Sequence, residues 1–166
     1  MDILVNNAGQ PSLGPIWDID LAQWERQLRV NLTACFLFAK AVAPGMRERR
    51  WGRIIVMSSI AGQTGGVTAS VAYAAAKGGL LAFTKTLARD LAPFGVTVNA
   101  LCPGWTRTEM MGALSAEQLR GVLALIPAGR LGAPEEVAAA VRYLASDAGG
   151  YITGATLDIN GGIFKR

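Results

Sequence analysis

Ile54-Ile55-Val56-Met57-Ser58-Ser59 decides the fold. A continuous apolar run that ends abruptly in hydroxyl side chains describes a parallel strand covered on both faces, not the alternation of a half-exposed one. A shorter run of the same kind, Ile3-Leu4-Val5, ends in Asn6-Asn7-Ala8-Gly9. A third strand, Val96-Thr97-Val98-Asn99-Ala100-Leu101, leads into Pro103-Gly104-Trp105-Thr106-Arg107-Thr108. Helical periodicity fills the intervals. From Asp20 the apolar residues Leu21, Trp24, Leu28, Leu32, Cys35, Ala39, Val42 and Met46 recur at steps of three and four, which predicts one long helix kinked at Pro44-Gly45, with Asn31 on its apolar stripe. A second helix runs from about Tyr73 to Leu91, turning Leu80, Phe83, Leu87 and Leu91 inward, and Pro93-Phe94-Gly95 ends it. Beyond Pro103-Gly104, the capping-box pattern Ser115-x-x-Gln118 opens a short helix and Pro127 and Gly129 close the excursion. Pro134 starts a further helix through Val137, Val141 and Leu144, and Thr156-Leu157-Asp158-Ile159 is the last strand, before Gly161-Gly162. Strands alternating with helices predict one α/β domain over residues 1–166, a Rossmann-like doubly wound parallel sheet.

Composition narrows the function classes. The 166 residues are 51% apolar and 17% charged, with no repeat or low-complexity tract, which excludes intrinsic disorder. Two cysteines and no histidine exclude a disulfide scaffold, a zinc finger and any mechanism needing an imidazole base. The net charge of +4 is too diffuse for nucleic acid, and there is neither a basic recognition helix nor an interleaved aromatic platform. The densest basic stretch, Arg47, Arg49, Arg50 and Arg53, reads as the cationic C-terminal end of a helix. No apolar stretch approaches the ~20 residues of a membrane span, and the first residues are not a signal peptide. A cytoplasmic protein with no membrane partner is expected, with Cys35 and Cys102 as buried thiols.

In a doubly wound sheet a ligand lies beyond the carboxyl ends of the strands, so the residues after each run are the informative ones. They are Asn6-Asn7-Ala8-Gly9, Ser58-Ser59 and the Pro103 to Thr108 segment, although such clusters also serve simply to turn a chain. Tyr73-Ala74-Ala75-Ala76-Lys77 places a phenol and an ammonium on one helix face, as an ordinary surface pair would also do. At about 4 Å and an effective dielectric of about 20 the ammonium favours phenolate by about 4 kcal/mol, roughly three pKa units, less whatever desolvation takes back. Such a tyrosine exchanges protons near neutral pH without a histidine.

With these residues in order, the chain resembles the short-chain dehydrogenase/reductase family, and within it the 3-oxoacyl-thioester reductases. The resemblance runs from Asp2 to Gly162 and rests on Asn6-Asn7-Ala8-Gly9, Asn31 in Val-Asn-Leu, Ser59 in Ser-Ser-Ile-Ala-Gly, Tyr73-x-x-x-Lys77, Pro103-Gly104 with Thr108, and the stretch from Tyr151 to Gly162. It implies that Tyr73 is the general acid or base and that Ser59 bonds the substrate oxygen. Lys77 lowers the tyrosine pKa and holds the nicotinamide ribose, and Asn31 anchors a water relaying protons to Lys77. Asn6, Ala8 and Gly9 border the adenine side of NAD or NADP, and Pro103, Gly104, Thr106 and Thr108 surround its nicotinamide and pyrophosphate.

Two departures stand beside the resemblance. No G-x-G occurs in the sequence, so the glycine-rich phosphate turn and the residue selecting NAD or NADP are missing. A chain lacking the first half of its cofactor domain is expected, with Ile3-Leu4-Val5 as an open edge. The interval from Ser59 to Tyr73 is one residue longer than the family pattern. Either the loop from Gln63 to Ala72 absorbs it or Ser58 takes the orienting role. The expected function is hydride transfer between nicotinamide and a carbonyl or secondary alcohol, most simply a 3-oxoacyl thioester. The alternative is a non-catalytic fragment or assembly module, and the two long helices are the expected surfaces of a homo-oligomer. Trp105, Met110, Met111 and Leu114 suit a lid over an apolar tail, and Arg107 and Arg130 are either contacts for a substrate phosphate or solvated cations.

Overall fold

Strand β2 (Gly52–Met57) lies between β1 (Ile3–Asn6) and β3 (Val96–Pro103), and β4 (Thr156–Ile159) extends the sheet beyond β3. The computed structural model describes residues 1–108 and 114–165. All three pairings are parallel, with Leu4 opposite Ile54, Ile54 opposite Val98 and Leu101 opposite Leu157. Successive side chains alternate between faces. Ile54, Val56, Val96 and Val98 therefore pack with Cys35, Met46, Leu80, Ala88 and Leu91, whereas Ile55 and Leu101 pack on the other side with Leu144. Helices α2 (Ala34–Arg49) and α4 (Val71–Leu91) cover the first face and α6 (Pro134–Ala145) the second, giving the expected α/β sandwich.

The first long helix departs from expectation. Helix α1 (Leu21–Leu28) opens on a reciprocal capping box, Asp20 Oδ1 accepting from the Gln23 backbone N–H at 2.7 Å and Gln23 Oε1 from that of Asp20 at 2.9 Å. One π turn, Arg29–Thr33, then joins it to α2, the Ala34 N–H reaching back to the Arg29 carbonyl. The irregularity thus falls at Asn31 and not at Pro44, through which the helix continues to Arg49. The cause is local: Asn31 Nδ2 donates to the Gln27 carbonyl one turn back, at 3.1 Å, in place of regular α geometry. Arg47 and Arg49 do occupy the last turn and Arg50 the left-handed cap, at φ 54°. Arg53 does not belong with them. It lies in β2, 4% exposed, its guanidinium 4.5 Å from the centre of the Trp51 ring.

Helix α3 (Ala61–Thr64) and α4 follow β2 closely. Ser70 caps α4, its Oγ accepting from the Tyr73 N–H at 3.2 Å, which fixes the first turn where Tyr73 stands. Helix α5 (Ala116–Ala124) opens on the expected box of Ser115 and Gln118. The buried Asn99 amide of β3 ties down the segment before β4, donating to the Ile152 carbonyl at 2.7 Å and accepting from the Ala155 N–H at 3.1 Å.

Gly62 decides how closely α3 approaches α4, since a Cβ there would lie 2.6 Å from the Lys77 carbonyl carbon and 2.7 Å from its oxygen. Backbone cannot yield as a flexible side chain would. Gly62→Ala is expected to destabilise the chain by about 1–3 kcal/mol, read as a lower urea midpoint at unchanged slope.

Candidate active site

A cleft of about 740 Å³ opens at the carboxyl ends of the strands, where the fold leads one to look. Ser59, Tyr73, Lys77, Gly9, Pro103, Gly104, Thr106 and Thr108 all line it. Of the two serines after β2, Ser58 is buried and its hydroxyl is spent on the Lys77 carbonyl at 2.8 Å. Ser59 is the one hydrogen-bonded to the Tyr73 side chain, and its Oγ also accepts from the Ala61 N–H at 3.1 Å.

Lys77 is 4% exposed, and its Nζ donates to the Met57 carbonyl, the last of β2, at 2.8 Å. Burial outweighs that bond, and the ammonium pKa falls from 10.5 to about 8, with Cys35 and Cys102 pulling weakly the other way. The Tyr73 ring faces the ammonium at 5.7 Å from its centre. The expected acidification of the phenol does not follow. Burial raises the Tyr73 pKa above its ordinary value and the Ser59 bond offsets only part of this, the ammonium sitting over the ring and donating its hydrogen bond to the Met57 carbonyl of β2.

Asn31, Asn6 and Ala8 lie beside the main cleft. They line a second, smaller cavity of about 220 Å³ with Cys35, Phe38 and Leu80, which shares Val5, Asn7 and Met57 with the main cleft. Gly9 links the two: a Cβ on it would come within 2.9 Å of Asn31 Oδ1 and 3.1 Å of Lys77 Nζ. The Asn6 amide nitrogen is buried without a hydrogen-bond partner, and burial pushes the Cys35 thiol from 9.0 to about 11.

Sequence reasoning missed several cleft residues. Pro11 comes from the loop after β1, and Pro134, Val137, Ala138, Val141 and Arg142 line the cleft from α6. The only signal for the α6 residues was their helical period, which marks core and cleft alike. Arg130 is not a free cation for a phosphate, since both its terminal nitrogens meet the Glu136 carboxylate, at 2.8 and 2.7 Å. That pairing holds Glu136 down at about 2. Of the expected lid, Trp105 and Leu114 are half-buried, while Met110 and Met111 lie outside the described residues.

A parallel sheet with helices on both faces and a cleft at its carboxyl ends places the chain among Rossmann-like α/β proteins. Residues 1–164 match the family model described as enoyl-(acyl carrier protein) reductase. The chain belongs to the short-chain dehydrogenase/reductase family. It is 46% identical over 164 residues to the 3-oxoacyl-[acyl-carrier-protein] reductase of Salmonella typhimurium, covering 99% of this chain and 67% of that protein. It is 45% identical over 163 residues to nodulation protein G of Azospirillum brasilense, covering 98% and 66%. The crystal structure of 3-oxoacyl-[acyl-carrier protein] reductase from Brucella melitensis superposes with a TM-score of 0.96 at 37% identity, over 99% of this chain and 63% of that one. The chain thus spans about two thirds of the length of these relatives.

The two buried titrating groups push stability in opposite directions with pH. From about pH 8 to 10.5 the unfolded chain keeps the Lys77 proton that the folded chain has released, so stability rises. From about pH 9 to 11 the folded chain keeps the Cys35 proton that the unfolded chain has lost, so stability falls. Up to about pH 10, where the raised Tyr73 phenol begins to add a fall of its own, urea unfolding of Cys35→Ala is expected to show the rise without the Cys35 fall, and that of Lys77→Met the fall without the rise.

Proposed function

We propose that this chain carries the catalytic groups of a nicotinamide-dependent oxidoreductase acting on the carbonyl or secondary-alcohol carbon of a 3-oxoacyl thioester. The observation that carries the reading is the Ser59–Tyr73 hydroxyl pair lining a strand-end cleft beside the buried Lys77 ammonium. The names of the relatives support the substrate class.

The residues present suit the nicotinamide end of NAD or NADP. Lys77 has three donors and gives one to Met57, which leaves two for ribose hydroxyls. Pro103, Gly104, Thr106 and Thr108 form the wall for the nicotinamide and diphosphate, and Asn6, Ala8 and Gly9 border the adenine side. When bound, the dinucleotide supplies or accepts the hydride. In reduction Tyr73 gives its hydroxyl proton to the substrate oxygen, and Ser59 bonds the same oxygen. The raised phenol pKa keeps that proton in place at neutral pH, the state a general acid needs. Asn31 Oδ1 accepts one bond, from the Gln10 N–H, and its other lone pair is free to hold a water that relays protons to Lys77.

Self-association through the two long helical segments fits the exposed Phe36, Leu37 and Phe38 of α2, and two buried thiols outside any disulfide suit a reducing cytoplasm. Among the described residues no helix is long and apolar enough to cross a membrane.

Nicotinamide fluorescence should show saturable binding to the purified chain that Lys77→Ala abolishes, and a wild-type chain that binds neither NADH nor NADPH would sink the reading. Tyr73→Phe should keep binding and lose about 10²- to 10⁴-fold in turnover of a 3-oxoacyl thioester. In sedimentation, Leu37→Glu should shift an oligomer of the chain toward monomer.

A further inference from the structure

Asn31 is buried within the π turn, and every group around its amide comes from two residues. Oδ1 accepts the Gln10 N–H at 3.0 Å, while Nδ2 faces the Gln10 carbonyl at 3.1 Å, the Gln27 carbonyl at 3.1 Å and Gln27 Oε1 at 2.9 Å. The exchange with Gln10 copies a backbone pairing and pins the loop after β1, which brings Asn7, Gly9 and Pro11 to the cleft. Arg26 adds a longer contact to Gln10 Oε1, at 3.3 Å.

Gln27 is the unusual member. It is 7% exposed, on the helix face that packs inward, where an apolar residue would otherwise be expected. Its side-chain oxygen makes the shortest contact to Asn31. A buried amide is costly unless bonded, so a polar residue here is retained for what it holds.

We propose that Gln27 is a positioning residue of the site, fixing through Asn31 the orientation of an amide oxygen beside Gly9 and Lys77. Two backbone carbonyls and the Gln10 N–H already favour this orientation, and Gln27 Oε1 reinforces it: with that oxygen in place, a flipped Asn31 would turn its own oxygen toward three carbonyl oxygens. Oδ1 then lies on the Lys77 side of Gly9, because that glycine's missing Cβ would touch both Oδ1 and Nζ. The fixed amide oxygen favours the charged ammonium, whose other titratable neighbours are Tyr73, Cys35 and Cys102. The inference uses the reading of Lys77 as a site residue, but its test does not depend on cofactor binding.

The test is NMR on the labelled chain, comparing wild type with Gln27→Met, which keeps the volume and loses the oxygen, and with Gln27→Asn, which withdraws the oxygen by one methylene. In either variant the Asn31 side-chain amide hydrogens should exchange with solvent about tenfold faster, and the Lys77 titration followed at Cε should move to lower pH. Gln27→Glu, which keeps an acceptor at the same reach, should restore slow exchange of the Asn31 amide hydrogens, while its carboxylate moves the Lys77 titration above the wild-type value. Unchanged exchange and an unchanged Lys77 titration in the variants that fold would overturn the proposal. Loss of nicotinamide binding in the wild-type chain with these NMR shifts intact would overturn only the functional reading.

Discussion

Two adjacent residues at the end of β2 hold Lys77 at both of its ends. Met57 takes the ammonium through its carbonyl, and the Ser58 hydroxyl donates to the lysine carbonyl. The double grip fixes α4 in depth and rotation against the sheet, and with it the face on which Tyr73 stands one turn earlier. A hydrogen bond to a charged group is worth about 1.5–3 kcal/mol, while burying an ammonium costs several, so the grip does not itself make the site stable. The energy comes from the apolar strands and helices that surround it.

Close packing then does the remaining positioning. Gly62 lets α3 lie on the backbone of Lys77, which brings Ser59 beside Tyr73, and Gly9 lets the first loop reach the neighbourhood of Asn31 and Nζ. Both are approaches that any side chain would obstruct. The π turn serves the same end, since within it the Asn31 amide donates to the Gln27 carbonyl of the same helix. Polar atoms that would be liabilities in an apolar layer are thus bonded in two small groups, one around Lys77 and one around Asn31.

Electrostatics divides the two titratable members of the pair. The same burial raises the phenol and lowers the amine, keeping the tyrosine protonated and leaving the lysine within reach of neutrality. A picture based only on the attraction between them mistakes the sign for Tyr73, because spacing along a helix says nothing of the solvent each group has lost.

The strands, the long helices and the cluster of polar residues at the strand ends were legible from residue order alone. Apolar runs and helical periods are local consequences of which faces must be buried, and Ser59, Tyr73 and Lys77 were legible because a phenol, an amine and a hydroxyl are conspicuous beside such runs. Only the tertiary structure decided which serine meets Tyr73, that Arg53 lies within the sheet and Arg130 against Glu136, and that Gln27 belongs with Asn31. Each of these rests on a contact between side chains and backbone that the fold brings together, and on the dielectric that packing creates around them, neither of which is written in the spacing of residues along the chain.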